Sequence, residues 1–170
     1  YNIDVEKLEK KIILYKKNKK KIKAIIATDY AGQPCDWKRL YLIKKKYNLS
    51  LINDNCHAMG ASYYNNKKYA IKYADLVTHS YHPVKNITCG EGGAVLTNNK
   101  LYDDKIKLLR SHGYKKKKKS NPWHYEMVDL GYNYRLSDIN CALGNSQLSK
   151  LDIFIKKRRS IANIYNEQCS

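Results

Sequence analysis

From Asp4 to Arg110 the chain alternates short apolar runs with stretches of helical periodicity, and few architectures accept that alternation. Asp4 stands at a cap position, and Val5, Leu8, Ile12 and Tyr15 then recur on one face, predicting an amphipathic helix over 4–16. The lysines that close it sit where the helix dipole favours positive charge, and Lys16 to Lys23 reads as a polar connector. Residues 24–29, Ala-Ile-Ile-Ala-Thr-Asp, form an apolar strand ended by the turn Ala31-Gly32-Gln33-Pro34. A helix follows from an Asp36 cap to about Tyr47. Further strands are expected at Leu51–Asp54, at 74–80 and at 93–97, then a helix at about 101–110. The strands are continuous apolar runs rather than two-faced alternations. That pattern predicts an α/β fold whose mostly parallel sheet is covered on both faces. Ligands of such sheets sit at the C-terminal strand ends, where Asp54 and Ser80 both fall.

Beyond Arg110 the Lys115–Lys119 run reads as a solvated surface loop, and Ser120 to Tyr132 as loop. Ser137 can cap a helix to about Leu148, and Leu151 to Tyr165 continues helically. The 170 residues suffice for one domain with a core, and a hydrophobic fraction of 43% fits a globular chain. No run approaches the length of a membrane span, so no membrane partner is expected. The formal charge of +18 opens a second reading, a basic nucleic-acid-binding domain using the Lys runs. The lysines accompany abundant Asn, Ile and Tyr, all drawn from A/T-rich codons, and no known nucleic-acid module is visible, so the charge is read as solvated faces. The five cysteines, Cys35, Cys56, Cys89, Cys141 and Cys169, are odd in number and lack C-x-x-C spacing. That pattern points to reduced thiols in a cytoplasm rather than to disulfides or a zinc site. Tyr1-Asn2-Ile3-Asp4 has neither an initiator Met nor a signal-peptide pattern, and Cys169-Ser170 follows a helical stretch directly. Both ends are expected to be cuts inside a longer chain.

Three segments carry candidate chemistry: Asp54-Asn55-Cys56-His57-Ala58-Met59-Gly60-Ala61; Ser80-Tyr81-His82-Pro83-Val84-Lys85 with Thr88-Cys89-Gly90-Glu91-Gly92-Gly93; and Leu130-Gly131-Tyr132-Asn133-Tyr134-Arg135-Leu136-Ser137. Lys85 is unlike most of the other lysines, which lie in runs or at helical spacing among other charges. It follows Pro83-Val84 just past a buried strand and precedes a Gly-rich turn. Desolvation there frees an amine as a nucleophile, and Schiff-base chemistry needs such an amine. The alternative is a lysine snorkelling at a sheet edge. Asp54 at a strand end either caps a turn or keeps a pyridine nitrogen protonated. His57 is a candidate ring contact or a packed histidine. Ser80 and the Gly90–Gly93 backbone could serve a phosphate.

Taken together and in this order, the segments resemble the DegT/DnrJ/EryC1/StrS family of sugar aminotransferases, over about Tyr1 to Tyr165. The resemblance implies the type I aminotransferase fold, with pyridoxal 5'-phosphate as cofactor. Residues 1–150 would be part of the cofactor-binding large domain, and 151–170 the start of a helix leading to a small C-terminal domain. It implies that Lys85 carries the cofactor and shuttles the proton, and that Asp54 pairs with the pyridine nitrogen. His57 would sit near the ring, Ser80 would bind the phosphate, and Asn133 would reach the phosphate of the neighbouring subunit in a homodimer. The substrates implied are a nucleotide sugar and an amino-acid donor. Pro122-Trp123-His124-Tyr125-Glu126-Met127 looks most like the pseudaminic-acid branch, whose enzymes aminate C4 of a UDP-linked 4-keto-6-deoxy-N-acetylhexosamine from glutamate. Family dehydratases carry His at the Lys85 position, so Lys85 favours transamination. His79 departs from the family's usual Phe, and Asn53 from a common acidic residue.

Overall fold

The computed structural model describes residues 1–116, 121 and 123–169. Helix α1 spans Val5–Lys17, and the Asp4 carboxylate accepts hydrogen bonds from the Glu6 and Lys7 amides at 3.0 Å each. Strand β1 (Ala24–Thr28) leads through a 3-10 turn at Tyr30–Gly32 to α2 (Trp37–Tyr47), capped by Asp36. Helix α2 ends at Asn48, which takes the left-handed conformation that Asn tolerates better than most side chains. Then come β2 (Ser50–Asp54), α3 (Tyr69–Tyr73), β3 (Leu76–Ser80), β4 (Gly93–Leu96) and α4 (Lys100–Arg110). The remainder holds β5 (Tyr114–Lys115) paired antiparallel with β6 (Glu126–Met127), then α5 (Asp138–Leu148) and α6 (Leu151–Gln168).

The main sheet has the order β1-β2-β3-β4. The first three strands run parallel and β4 returns antiparallel to β3, so the sheet is mostly parallel. Parallel neighbours need long crossovers, and α2 and α3 supply them. One sheet face is dry: Ile25, Ala27, Leu51 and Val77 are buried against Trp37, Leu40 and Ile43 of α2, Tyr69 of α3 and Ile12 of α1. Ile25, Leu51 and Val77 each contribute about 1.5–3 kcal/mol on burial.

The expectation of a sheet covered on both faces is met on one face only. Along β1 burial alternates residue by residue, and Ile26 is 64% exposed. The other face carries Thr28, Asp54 and Thr78, which lie side by side in register. Five-residue strands with Ile or Leu on both faces, such as Ile25-Ile26 and Leu51-Ile52, hide a period of two. Lys117 to Lys119 of the lysine run and Pro122 of the Pro-Trp-His-Tyr-Glu-Met segment lie outside the described residues. Among the described residues no helix is long and apolar enough to cross a membrane.

Candidate functional site

The register of the parallel strands sets the site. Thr28, Asp54 and Thr78 pair across β1, β2 and β3 at the C-terminal end of the sheet, where chain direction aims the loops at one region. Asp54 is the last residue of β2. Its Oδ2 accepts from Thr28 Oγ1 at 3.3 Å and its Oδ1 accepts from the Cys56 amide at 3.2 Å. Partial burial works against the Asp54 charge, but the bonds from Cys56 and Thr28, with His57 nearby, outweigh it and hold the carboxyl below its ordinary value. Asp54 is thus ionised at neutral pH.

Beyond Asp54 the chain makes a tight turn. His57 projects to the surface, its Nδ1 accepting from the Ala31 amide at 3.3 Å, its ring edge-on to Tyr30 at 5.8 Å between centroids. Cys56 lies beneath, its Sγ 3.8 Å from the Thr78 carbonyl oxygen. Burial raises the Cys56 thiol and the Asp54 charge adds to this, whereas the positive charge of Lys85 opposes it. The thiol is thus within electrostatic reach of both the Asp54 carboxylate and Lys85 of the next loop.

That loop leaves β3 at Ser80 and is pinched shut at its base. Tyr81 donates its amide to the Gly92 carbonyl at 2.8 Å, and its own carbonyl accepts from the Cys89 amide at 3.0 Å and Thr88 Oγ1 at 2.9 Å. Gly90 and Gly92 have φ of +83° and +141°, values that L side chains rarely adopt, so these glycines let the chain return in so few residues. Lys85 lies inside this loop, its amide donating to the His82 carbonyl at 3.0 Å. Its neighbour Asn86 donates from Nδ2 to the Met59 carbonyl at 2.7 Å, which ties the Lys85 loop to the turn after Asp54. From α6, Arg158 reaches the Lys85 carbonyl at 3.4 Å. The Lys85 side chain is half-buried, and among the described residues its amine has no carboxylate partner. Ser80 ends β3, with Oγ 3.4 Å from the His82 amide.

The structure therefore brings Asp54, His57 and Lys85 together at one end of the sheet, with Ser80 at the base of the Lys85 loop. Asn133 stands elsewhere. It is exposed on a bridge to Ser111, just past α4, in a segment bonded to that helix through Tyr132 and Tyr134. Thr28 and Thr78 are not legible in the sequence as neighbours of these groups, because strand register decides their proximity. In the sequence His79 stands out only as a departure. His79 is largely buried, which lowers its pKa despite a bond to the Asn55 backbone, and its Nδ1 is buried without a partner.

The family model described as DegT/DnrJ/EryC1/StrS aminotransferase matches residues 1–170. The chain belongs to that family. A Campylobacter jejuni protein named UDP-4-amino-4,6-dideoxy-N-acetyl-beta-L-altrosamine transaminase is 49% identical over 167 residues, which is 98% of this chain and 42% of that protein. The solved structure of Helicobacter pylori PseC, an aminotransferase involved in the biosynthesis of pseudoaminic acid, superposes with a TM-score of 0.87 at 38% identity. That match covers 98% of this chain and 42% of that one. An Escherichia coli GDP-4-keto-6-deoxy-D-mannose-3-dehydratase solved with hydrated pyridoxal phosphate matches with a TM-score of 0.84 at 26% identity, over 98% of this chain and 44% of that one. The family fold thus serves more than one reaction. The chain spans less than half the length of these relatives.

Proposed function

We propose that the protein containing this chain is a pyridoxal-phosphate-dependent sugar aminotransferase of the pseudaminic-acid type. Its substrate on this reading is a nucleotide-linked 4-keto-6-deoxy sugar, a UDP-linked N-acetylhexosamine, with glutamate as amino donor. The observation that carries the reading is the Lys85 loop, tied by the Asn86–Met59 bond to the turn after Asp54, with no carboxylate on the Lys85 amine among the described residues. A lysine that only served solubility would not need its loop closed at both ends.

The residues present fit the cofactor. When bound, it supplies an electron sink for the carbanion that forms on the substrate carbon. Asp54, kept ionised by its neighbours, is suited to hold a proton on a pyridine nitrogen. Lys85 is suited to attach the cofactor through its amine and to move the substrate proton as general base and acid. His57, exposed above the turn and held by the Ala31 amide, would contact the ring. Ser80 offers its hydroxyl to a phosphate at the base of the loop. Asn133, exposed on the bridge to Ser111, would serve the partner subunit of a homodimer. Helix α6 would continue toward the small domain, and the protein would work in the cytoplasm in surface-sugar biosynthesis.

The dehydratase among the matches makes reaction type the point to test. Incubating the full-length protein with pyridoxal phosphate, glutamate and the UDP-linked 4-keto sugar should give the 4-amino sugar and 2-oxoglutarate in equal amounts. Loss of a sugar hydroxyl without amine transfer would contradict the proposal.

A further inference from the structure

Beneath the Asp54 turn lies a fully buried carboxylate that the chemistry above does not use. Asp29 follows β1 directly, is 0% exposed, and its carboxylate receives five hydrogen bonds. Its Oδ1 accepts from the Cys35 amide at 2.8 Å and from Trp37 Nε1 at 2.9 Å. Its Oδ2 accepts from Asn53 Nδ2 at 3.2 Å, Asn55 Nδ2 at 2.9 Å and Tyr69 OH at 2.6 Å. These donors come from the start of α2, from α3, and from the residues on either side of Asp54.

A buried polar group is costly unless it is hydrogen-bonded, and Asp29 is bonded at both oxygens. These bonds secure the turn. Asn55 is the residue between Asp54 and Cys56, and its amide is clamped by Asp29 Oδ2 and by Tyr69 OH, both at 2.9 Å. The Asp29 backbone amide donates to the Asp54 carbonyl at 3.1 Å. Two residues on, the Ala31 amide holds His57 Nδ1. A Cβ on Gly32, whose φ is +84°, would stand 3.3 Å from the His57 carbonyl oxygen. The 29–32 segment and the 54–58 turn are thus fitted against each other, with the Asp29 carboxylate as the common acceptor.

We infer that Asp29, acting through Asn55 and Tyr69, is a positioning residue that fixes Asp54 and His57 in the orientation that receives the cofactor ring. The inference rests on the proposed cofactor site, but its structural half is independent of any ligand. Asp29 touches no reacting atom. Loss of a restraint of this kind should leave the fold standing and loosen one turn.

The test uses the full-length protein and Tyr69→Phe, which keeps the packed ring and removes the hydroxyl that both donates to Asp29 and accepts from Asn55. Amide hydrogen exchange of the cofactor-free protein should rise by about tenfold or more at Asn55 to Ala58, while α1 and α4 keep their protection. Pyridoxal phosphate, titrated by its absorbance, should bind about tenfold more weakly. Asp29→Asn, which sets an amide against five donors, should show both effects more strongly; where it fails to fold, Tyr69→Phe carries the test alone. Unchanged exchange at Asn55 to Ala58 would overturn the inference, as would faster exchange with unchanged cofactor affinity. Failure of the unsubstituted protein to bind pyridoxal phosphate would instead overturn the functional proposal, leaving the exchange result to judge the turn.

Discussion

Replacing Gly131 with Ala probes how the Gly-Tyr-Asn-Tyr-Arg segment is held. A Cβ at this position would stand 2.6 Å from the His112 carbonyl carbon and 2.7 Å from the Leu109 carbonyl oxygen, and would press on the Gly113 nitrogen. All three neighbours are backbone, so no side chain can swing aside. The segment is joined to the end of α4 by the Tyr132 amide on the Leu109 carbonyl at 2.8 Å, the His112 amide on the Tyr132 carbonyl at 2.9 Å, and the Tyr134 amide on the Arg110 carbonyl at 2.9 Å. At a net value near 1 kcal/mol each, losing one to three of them costs about 1–3 kcal/mol, the range typical of overpacking. One decade in an equilibrium corresponds to about 1.4 kcal/mol, so exchange at His112, Tyr132 and Tyr134 should accelerate by roughly five- to 150-fold. Hydrogen exchange read by NMR or mass spectrometry gives that number directly. Unchanged protection at these amides would mean that the segment is not held against α4 as described.

Other outcomes follow from the site. Lys85→Ala and Lys85→Arg should each lower transamination by at least about 10²–10⁴-fold, since neither leaves an amine that can act as nucleophile and proton carrier; steady-state turnover of the full-length protein measures this. Asp54 has a folded-state pKa below its ordinary 3.8, so its contribution to stability is fully present above that value and is lost as pH falls through the lower folded one. Asp54→Asn should therefore flatten the acid limb of stability against pH, and a variant whose acid limb matches the unsubstituted protein would contradict the stated bonds to Cys56 and Thr28.

Sequence patterning exposed the elements better than their mutual placement. The caps at Asp4, Asp36 and Ser137 each accept an amide hydrogen bond, because capping is local chemistry written into adjacent residues. Helix α3 went unrecognised: Tyr69–Tyr73 has only five residues, too few to show a period, and is held by burial of Tyr69 on Asp29. The pairing of Tyr114–Lys115 with Glu126–Met127 was equally hidden, since two-residue strands carry no pattern. At the site, the local pattern marks Asp54 and Lys85 only as candidates, a carboxylate ending an apolar run and a lysine before a Gly-rich turn, and the family resemblance is what gives them roles. Thr28, Thr78 and Asp29 are not marked at all. Their relation to Asp54 arises from strand register and from a buried network whose members are spread from Asp29 to Tyr69. Asp29 in particular reads in the sequence as the last residue of a strand, and nothing local says that it faces inward.

Lys85 is expected to be the lysine that takes up pyridoxal phosphate. The full-length protein, loaded with the cofactor, reduced with borohydride and digested, should yield one peptide carrying the pyridoxyl-phosphate mass, and fragmentation should place that mass on Lys85. Lys85→Ala treated identically should yield none. A label on another lysine, or one that persists in Lys85→Ala, would mean that a different amine holds the cofactor.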